Sequence, residues 1–276
     1  MKKGISIWSF KNNELPGVFE LAKKAGFEGV ELSHDEVGPV SLESTEADLL
    51  KVKQQAADAG IELYSVATGL YWTYSLTSPD PAQRAKAEYI VKKQLDNARI
   101  LGCDTILVVP GAVRVGFAPE LGVNDYMTVY ERSLEAFQRL KEDAEKTGVS
   151  IGIENVWNCF LLSPMEMRDF IDKIGSPAVG SYFDVGNVLA YGEPEHWIHA
   201  LGDRIKKVHF KDFQISTNSF VDLMEGDVNY PGVMKAFADI GYDGWVTAEM
   251  MPPYKHYPDM LLYQTSAAMD AIFGRR

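Results

Sequence analysis

The chain is poor in cysteine, in long apolar runs, in low-complexity sequence and in positive charge, and each shortage excludes something. There are only two cysteines, Cys103 and Cys159, and no C-x-x-C spacing, which leaves no disulfide framework and no zinc knuckle. The expected compartment is therefore cytoplasmic, and a core built from 276 residues needs no covalent staple. The first residues, MKKGISIWSFKNNELPG, are basic but lack the consecutive apolar residues of a signal peptide or a membrane helix, so no membrane partner is expected. Lys and Arg number 27 against 39 Asp and Glu, a formal net charge of −12 that repels phosphate backbones and argues against nucleic acid as a partner. No Ser/Gly linker or compositional break divides residues 1–276, which read as one domain. The first apolar run leads into WSFKNNELPG with no G-x-G-x-x-G, so the nucleotide turn of an open doubly wound sheet is missing.

What the chain does have is a repeated punctuation. Polar, helix-like segments end at Gly26, Gly60, Gly102, Gly148, Gly175, Gly202 and Gly241, and a β-rich run begins one to five residues later. Glycine just past a helix end takes the left-handed conformation without a steric penalty. Together with the run that precedes the first helix, the strands are GISIW from Gly4, GVELS from Gly29, IELYSVA from Ile61, TILVVPG from Thr105, SIGIENV from Ser150, GSYFDVG from Gly180, KKVHFKD from Lys206 and GWVTAEM from Gly244. They lack in/out alternation, as strands buried on both faces should. Helical period supports the segments between: Tyr126, Tyr130, Leu134, Phe137, Leu140 and Ala144 form one stripe, Pro79-Asp80-Pro81 opens a helix to about Leu101, and a last helix from about Asp259 to Phe273 ends at Gly274. Eight alternating β and α units predict an α/β fold, a single (β/α)8 TIM barrel.

The stretch from Ile151 to Asn187 reads as strand, helix, strand, with Glu154 closing one strand and Asp184 the other. Ser163, Pro164 and Glu166 have the grammar of a capped helix start with a capping box. The next two strand ends carry His209 and Glu249. Taken singly, each has a commoner structural use: a strand-end Asp caps a helix, and a strand His is a hydrogen-bonded core residue. Taken together, three carboxylates and an imidazole arc over half of the barrel mouth, at the edge where such barrels place chemistry. So much like charge is costly to desolvate unless a cation sits among it. The oxygen-rich set suits Mn2+, Co2+ or Mg2+.

At IENVWN, SYFDVGN, VHFKDF, EGDVNYPGVM and GYDGWVTAEM the chain resembles the xylose isomerase-like barrels, which include sugar-phosphate isomerases and ketose 3-epimerases. The resemblance covers nearly the whole chain. It implies one divalent metal, manganese first, with Co2+, Mg2+ or Zn2+ as alternatives, held by Glu154, Asp184, His209 and Glu249. It implies that Glu154 and Glu249 double as the acid/base pair, that the partner is a small sugar or sugar phosphate, and that the protein is a homodimer or homotetramer. The function it implies is isomerisation or epimerisation of a ketose or ketose phosphate, by proton removal α to a carbonyl through a metal-stabilised enediolate. Two positions depart from the ketose 3-epimerases: Asn187 stands where they have a histidine, and Ile215 where they have an arginine.

Asn187 and Lys211 are candidate contacts to substrate oxygens, Trp8 and Trp157 candidate stacking walls, and Asn155 and Asn158 further candidates near the fifth strand. Lys211 has a surface lysine as its plainer reading, and the tryptophans simple packing. The aromatic loop Tyr71, Trp72 and Tyr74 and the polar loop from Asp212 to Asn229 are lid candidates. The alternatives are an inosose-type dehydratase on the same metal site, an apurinic-site endonuclease and a non-catalytic sugar-binding protein. The endonuclease is disfavoured by the negative charge and by the lone His34 on the early strands.

Overall fold

A computed structural model describes residues 1–12 and 14–275. Eight parallel strands close into a barrel, each hydrogen-bonded to its neighbours in chain order, with the last paired back to the first. They are β1 (Lys2–Ser6), β2 (Gly29–Ser33), β3 (Glu62–Ala67), β4 (Thr105–Val108), β5 (Ser150–Glu154), β6 (Val179–Asp184), β7 (Ile205–Phe210) and β8 (Trp245–Ala248). All residues of β4, β6 and β8 are buried, because helices cover the outside and side chains fill the inside. The helices are α1 (Leu15–Ala25), α2 (Glu46–Asp58), α3 (Pro81–Leu101), α4 (Tyr126–Thr147), α5 (Pro164–Ile174), the single turn α6 (Val185–Val188), α7 (Pro194–Leu201), α8 (Tyr230–Asp239) and α9 (Asp259–Ile272). None of the described helices is long and apolar enough to cross a membrane.

The seven helix-ending glycines all have positive φ, between 54° and 94°. Asp80 caps α3 by accepting from Ala82 N at 2.8 Å, where the Pro-Asp-Pro punctuation places the start. Two expectations need correcting. Ser163 caps α5, but Glu166 does not return to the Ser163 N–H to complete the box; its carboxylate takes Leu162 N at 3.1 Å and the Tyr126 hydroxyl. On α4 the buried face is Val129, Ser133, Ala136, Phe137, Leu140 and Ala144, while Tyr126, Tyr130 and Leu134 lie at its half-buried edge.

Packing inside the barrel explains one glycine directly. A Cβ on Gly4 would lie 2.0 Å from the Tyr64 hydroxyl, so β1 leaves out a side chain where β3 inserts a ring. Tyr64 then stacks on Trp245 of β8 with centroids 3.9 Å apart. Lys3, part of the basic start, is buried rather than solvated: its ammonium lies 2.7 Å from Asp270 and 3.0 Å from Ser266 Oγ on α9, tying the first strand to the last helix. The ladder slips by one residue at two places: β3 carries Tyr64 as an extra residue between the partners of Val30 and Glu31, and β7 carries Lys206 as an extra residue between the partners of Ser181 and Tyr182. Such irregularities re-aim the side chains of the bulged strand; past them Ser65 on β3 pairs with Glu31, and His209 on β7 pairs with Asp184.

Candidate metal centre

The carboxyl ends of β5 to β8 deliver four side chains to one point. Glu154 is the last residue of β5, Asp184 the last of β6, His209 lies one residue before the end of β7, and Glu249 follows β8 directly. One donor atom from each lies within 4.8 Å of all the others, and all four residues are buried. His209 Nδ1 stands 2.9 Å from Glu249 Oε2, 3.8 Å from Glu154 Oε1 and 3.9 Å from Asp184 Oδ2. Asp184 serves two purposes: Oδ1 caps α6 by accepting from Asn187 N at 2.9 Å, and Oδ2 is left for the cluster.

Three of the donor atoms, Asp184 Oδ2, His209 Nδ1 and Glu249 Oε2, are fully buried and make no hydrogen bond. Buried polar atoms are rarely left so. Lys211 Nζ approaches Asp184 Oδ2 to 3.1 Å and Glu249 Oε2 to 2.9 Å, a charged contact without hydrogen-bond angles. On its other side His209 is anchored: Nε2 lies 2.9 Å from Glu31 Oε1. A proton on Nε2 donated to Glu31 leaves the Nδ1 lone pair facing the three carboxylates, the tautomer a metal ligand requires. Hard oxygen donors, one imidazole nitrogen, orphaned lone pairs and short separations fit one divalent cation, which this cluster could hold.

The charges are strongly coupled. Burial pushes the Glu154 and Asp184 carboxyls above their ordinary values, outweighing His209 and Lys211. Burial works the same way on Glu249, but Lys211 and His209 beside it win, and it is held down at about 2. Burial opposes charge on His209 and on Lys211, yet the surrounding carboxylates raise both.

Above the cluster opens a cavity of about 330 Å3. Trp8, on the 3-10 turn Ile7–Ser9 after β1, and Trp157, after β5, both line it, as do Asn187 and Lys211. Trp157 is fixed by its Nε1, which donates to Asn187 O at 3.0 Å. Lys211 is half-buried, with 13% of its side chain exposed, and turned inward, so the surface reading of this lysine does not hold. Asn155 does not line the cavity. Its Nδ2 donates to Asp184 O at 2.8 Å and its Oδ1 accepts from Asp184 N at 2.9 Å, clasping β5 to β6. Asn158 is likewise spent on the backbone, donating to Gly111 O at 2.7 Å. Asn187 Nδ2 donates to Asn155 O at 3.0 Å, so this side chain reaches the cavity with one of its two amide protons already used. Of the aromatic loop, only Trp72 reaches the cavity; Tyr71 bonds Gln94 and Tyr74 bonds Glu36. The polar loop contains an unforeseen hairpin, Asp212–Gln214 against Ser219–Val221, which brings Phe220 over Lys211 and against Trp157.

Glu31, inside the strand GVELS, was given no role from the sequence. In the structure it is fully buried, bonded to His209, to Ser65 Oγ at 3.0 Å and to the Tyr182 hydroxyl. An acid in the middle of an apolar strand, GVELS, was the available signal.

A family model described as a xylose isomerase-like TIM barrel matches residues 19–269. The chain belongs to this family. Among its relatives, a protein of Escherichia coli (strain K12) provisionally named an L-ribulose-5-phosphate 3-epimerase is 27% identical over 270 residues, covering 95% of this chain and 92% of its own. An uncharacterized protein of Methanocaldococcus jannaschii is 26% identical over 165 residues, and there the match spans 58% of this chain and only 55% of the relative. Among solved structures, a D-psicose 3-epimerase with D-tagatose from Clostridium cellulolyticum H10 superposes with a TM-score of 0.84 over 99% of both chains at 20% identity, a likeness of fold.

Proposed function

We propose that the chain is a divalent-metal-dependent isomerase or epimerase of a ketose or ketose phosphate, acting by proton removal α to the carbonyl. The observation that carries this is the convergence of Glu154, Asp184, His209 and Glu249 on one buried point beneath a cavity, with three lone-pair atoms unsatisfied. The provisional 3-epimerase name of the Escherichia coli relative supports the same class.

Glu154, Asp184, His209 and Glu249 would hold the ion, which would supply Lewis-acid stabilisation of the charge that develops on substrate oxygen. Epimerisation at a carbon needs a group that removes a proton from one face and a group that returns one to the other. Glu154 on β5 and Glu249 after β8 reach the cavity from the two ends of the arc and fill those roles; aldose–ketose isomerisation would use only one of them. Lys211, held between Asp184 and Glu249, is placed to bond a substrate oxygen, and the rings of Trp8 and Trp157 exclude water from the reacting carbons.

A panel of ketoses and ketose phosphates in D2O with Mn2+, read by NMR, tests this. Deuterium at C3 identifies an epimerase, deuterium at C1 or C2 an aldose–ketose isomerase, and a product lighter by one water a dehydratase on the same site. Glu154→Gln and Glu249→Gln are each expected to slow exchange by about 10²–10⁴. No incorporation from any substrate would refute the proposal.

A further inference from the structure

The geometry points to a narrower substrate class within that function: a ketose whose arm beyond the reacting carbons carries no phosphate and presents C–H surface to an aromatic wall. The inference rests on the proposed function for where the reacting carbons lie, but the chemistry of the arm is read from the cavity itself. Its floor is polar, with Glu154, Glu249, Asn187 and Lys211. Its walls and rim are apolar: Trp8, Trp72, Phe117, Trp157, Phe220 and Met251. Phe117 is 64% exposed and meets the edge of Trp72 with centroids 5.0 Å apart, so ring faces stand at the rim with no protein over them. Apolar surface displayed inside a small-molecule cavity favours a ligand that covers it.

A phosphate would need cations or a fan of N–H groups. Lys211 is the one cation lining the cavity among the described residues, and its charge is already shared by Asp184 and Glu249. Arg114 lines a separate groove that shares Trp157 with the cavity. Barrels that bind phosphate commonly use the loops after the last two strands and a helix N-terminus there. In this chain the donors of the loop after β7 are turned onto protein. The Asp212 carboxylate accepts from Phe213 N at 2.9 Å, Met224 N at 2.8 Å, and Gly226 N and Val228 N at 3.2 Å. The start of α8 is closed by Asn229, whose side chain takes Gly232 N at 3.2 Å. The N–H cradle that could hold a phosphate thus holds a carboxylate of the chain itself.

The test uses the metal-loaded protein and its tryptophan fluorescence, since Trp8, Trp72 and Trp157 line the cavity. The ligands are fructose, fructose 6-phosphate and 6-deoxyfructose, and the matching ribulose set. The free ketose is expected to bind at least about tenfold more tightly than its phosphate ester, with the deoxy sugar equal or tighter, because the ester would bury an unpartnered dianion. Phe117→Lys, a change at the exposed rim, is expected to narrow that gap at least about fivefold by supplying the missing cation. A phosphate ester that binds as tightly as the free ketose, no saturable binding by any of the set, or an unchanged gap in Phe117→Lys would each overturn the inference. Deuterium exchange on the same samples separates the two ideas. Exchange with a preference for phosphate sinks this inference and leaves the proposed function standing. Preferential binding of free ketose without exchange does the reverse.

Discussion

Replacing Glu31 by Gln is expected to weaken binding of Mn2+ by about 10- to 100-fold while the barrel stays folded. Tyr182 and Ser65 both donate to Oε2, so the amide oxygen of the variant is fixed on that side and its NH2 faces His209 Nε2. The imidazole must then accept on Nε2 and carry its proton on Nδ1, where it blocks the cluster. Titration calorimetry with Mn2+ reads the loss, and unchanged affinity would show that Glu31 only fills space. His34 gives a second prediction at this scale. Burial pushes its ring down to about 4 against an ordinary 6.5, although the Ser41 backbone favours the charged form. The folded state therefore refuses a proton that the unfolded chain accepts, so this contribution to stability is present above pH 6.5 and lost as pH falls towards 4. The gap is worth about 3 kcal/mol at pH 4. Denaturant midpoints of wild type and His34→Gln should converge across that window, and a constant difference from pH 7 to pH 4 would contradict it. The four cluster residues were legible in sequence because acids and a histidine at successive strand ends break the apolar pattern. Glu31 does so too, but its partner lies 178 residues away, and only closure of the barrel brings them together.

At the scale of elements, the strand and helix order was legible almost to the residue, because a glycine just past every described α-helix but the single turn α6 marks where the chain turns. What composition could not give was the fine aim of each element. The two ladder slips, which leave Tyr64 and Lys206 as extra residues on β3 and β7, have no mark in the apolar pattern, and the 212–221 hairpin has too polar a sequence to read as paired strands. That hairpin is tied down by Asp212, whose carboxylate gathers four backbone N–H groups. Asp212→Ala should release it: amide hydrogen exchange across 213–228 is expected to quicken by about tenfold or more while the barrel strands keep their protection. Equal protection in the variant would mean that packing of Phe213 and Phe220 on Trp157 holds the hairpin unaided.

For the whole molecule, the barrel gathers at one mouth what the chain spreads over nearly a hundred residues, from Glu154 to Glu249. The negative net charge that argued against nucleic acid is partly concentrated there, and a divalent ion would make three buried carboxylates tolerable together. The match of a xylose isomerase-like family model to residues 19–269 agrees with a barrel already visible in the alternation of strands and helices. Under the proposed function, the carbon that would be deprotonated was not legible, because it depends on the pose of a ligand over Glu154 and Glu249 rather than on their presence. The measurement that bears most directly on the account is the metal content of purified protein after loading with Mn2+ and gel filtration, for wild type beside Asp184→Asn and His209→Gln. The account predicts one ion per chain in the wild type and loss of most of it in both variants, with all three proteins folded. A wild type that retains no divalent ion under any loading condition, or variants that retain it in full, would contradict it.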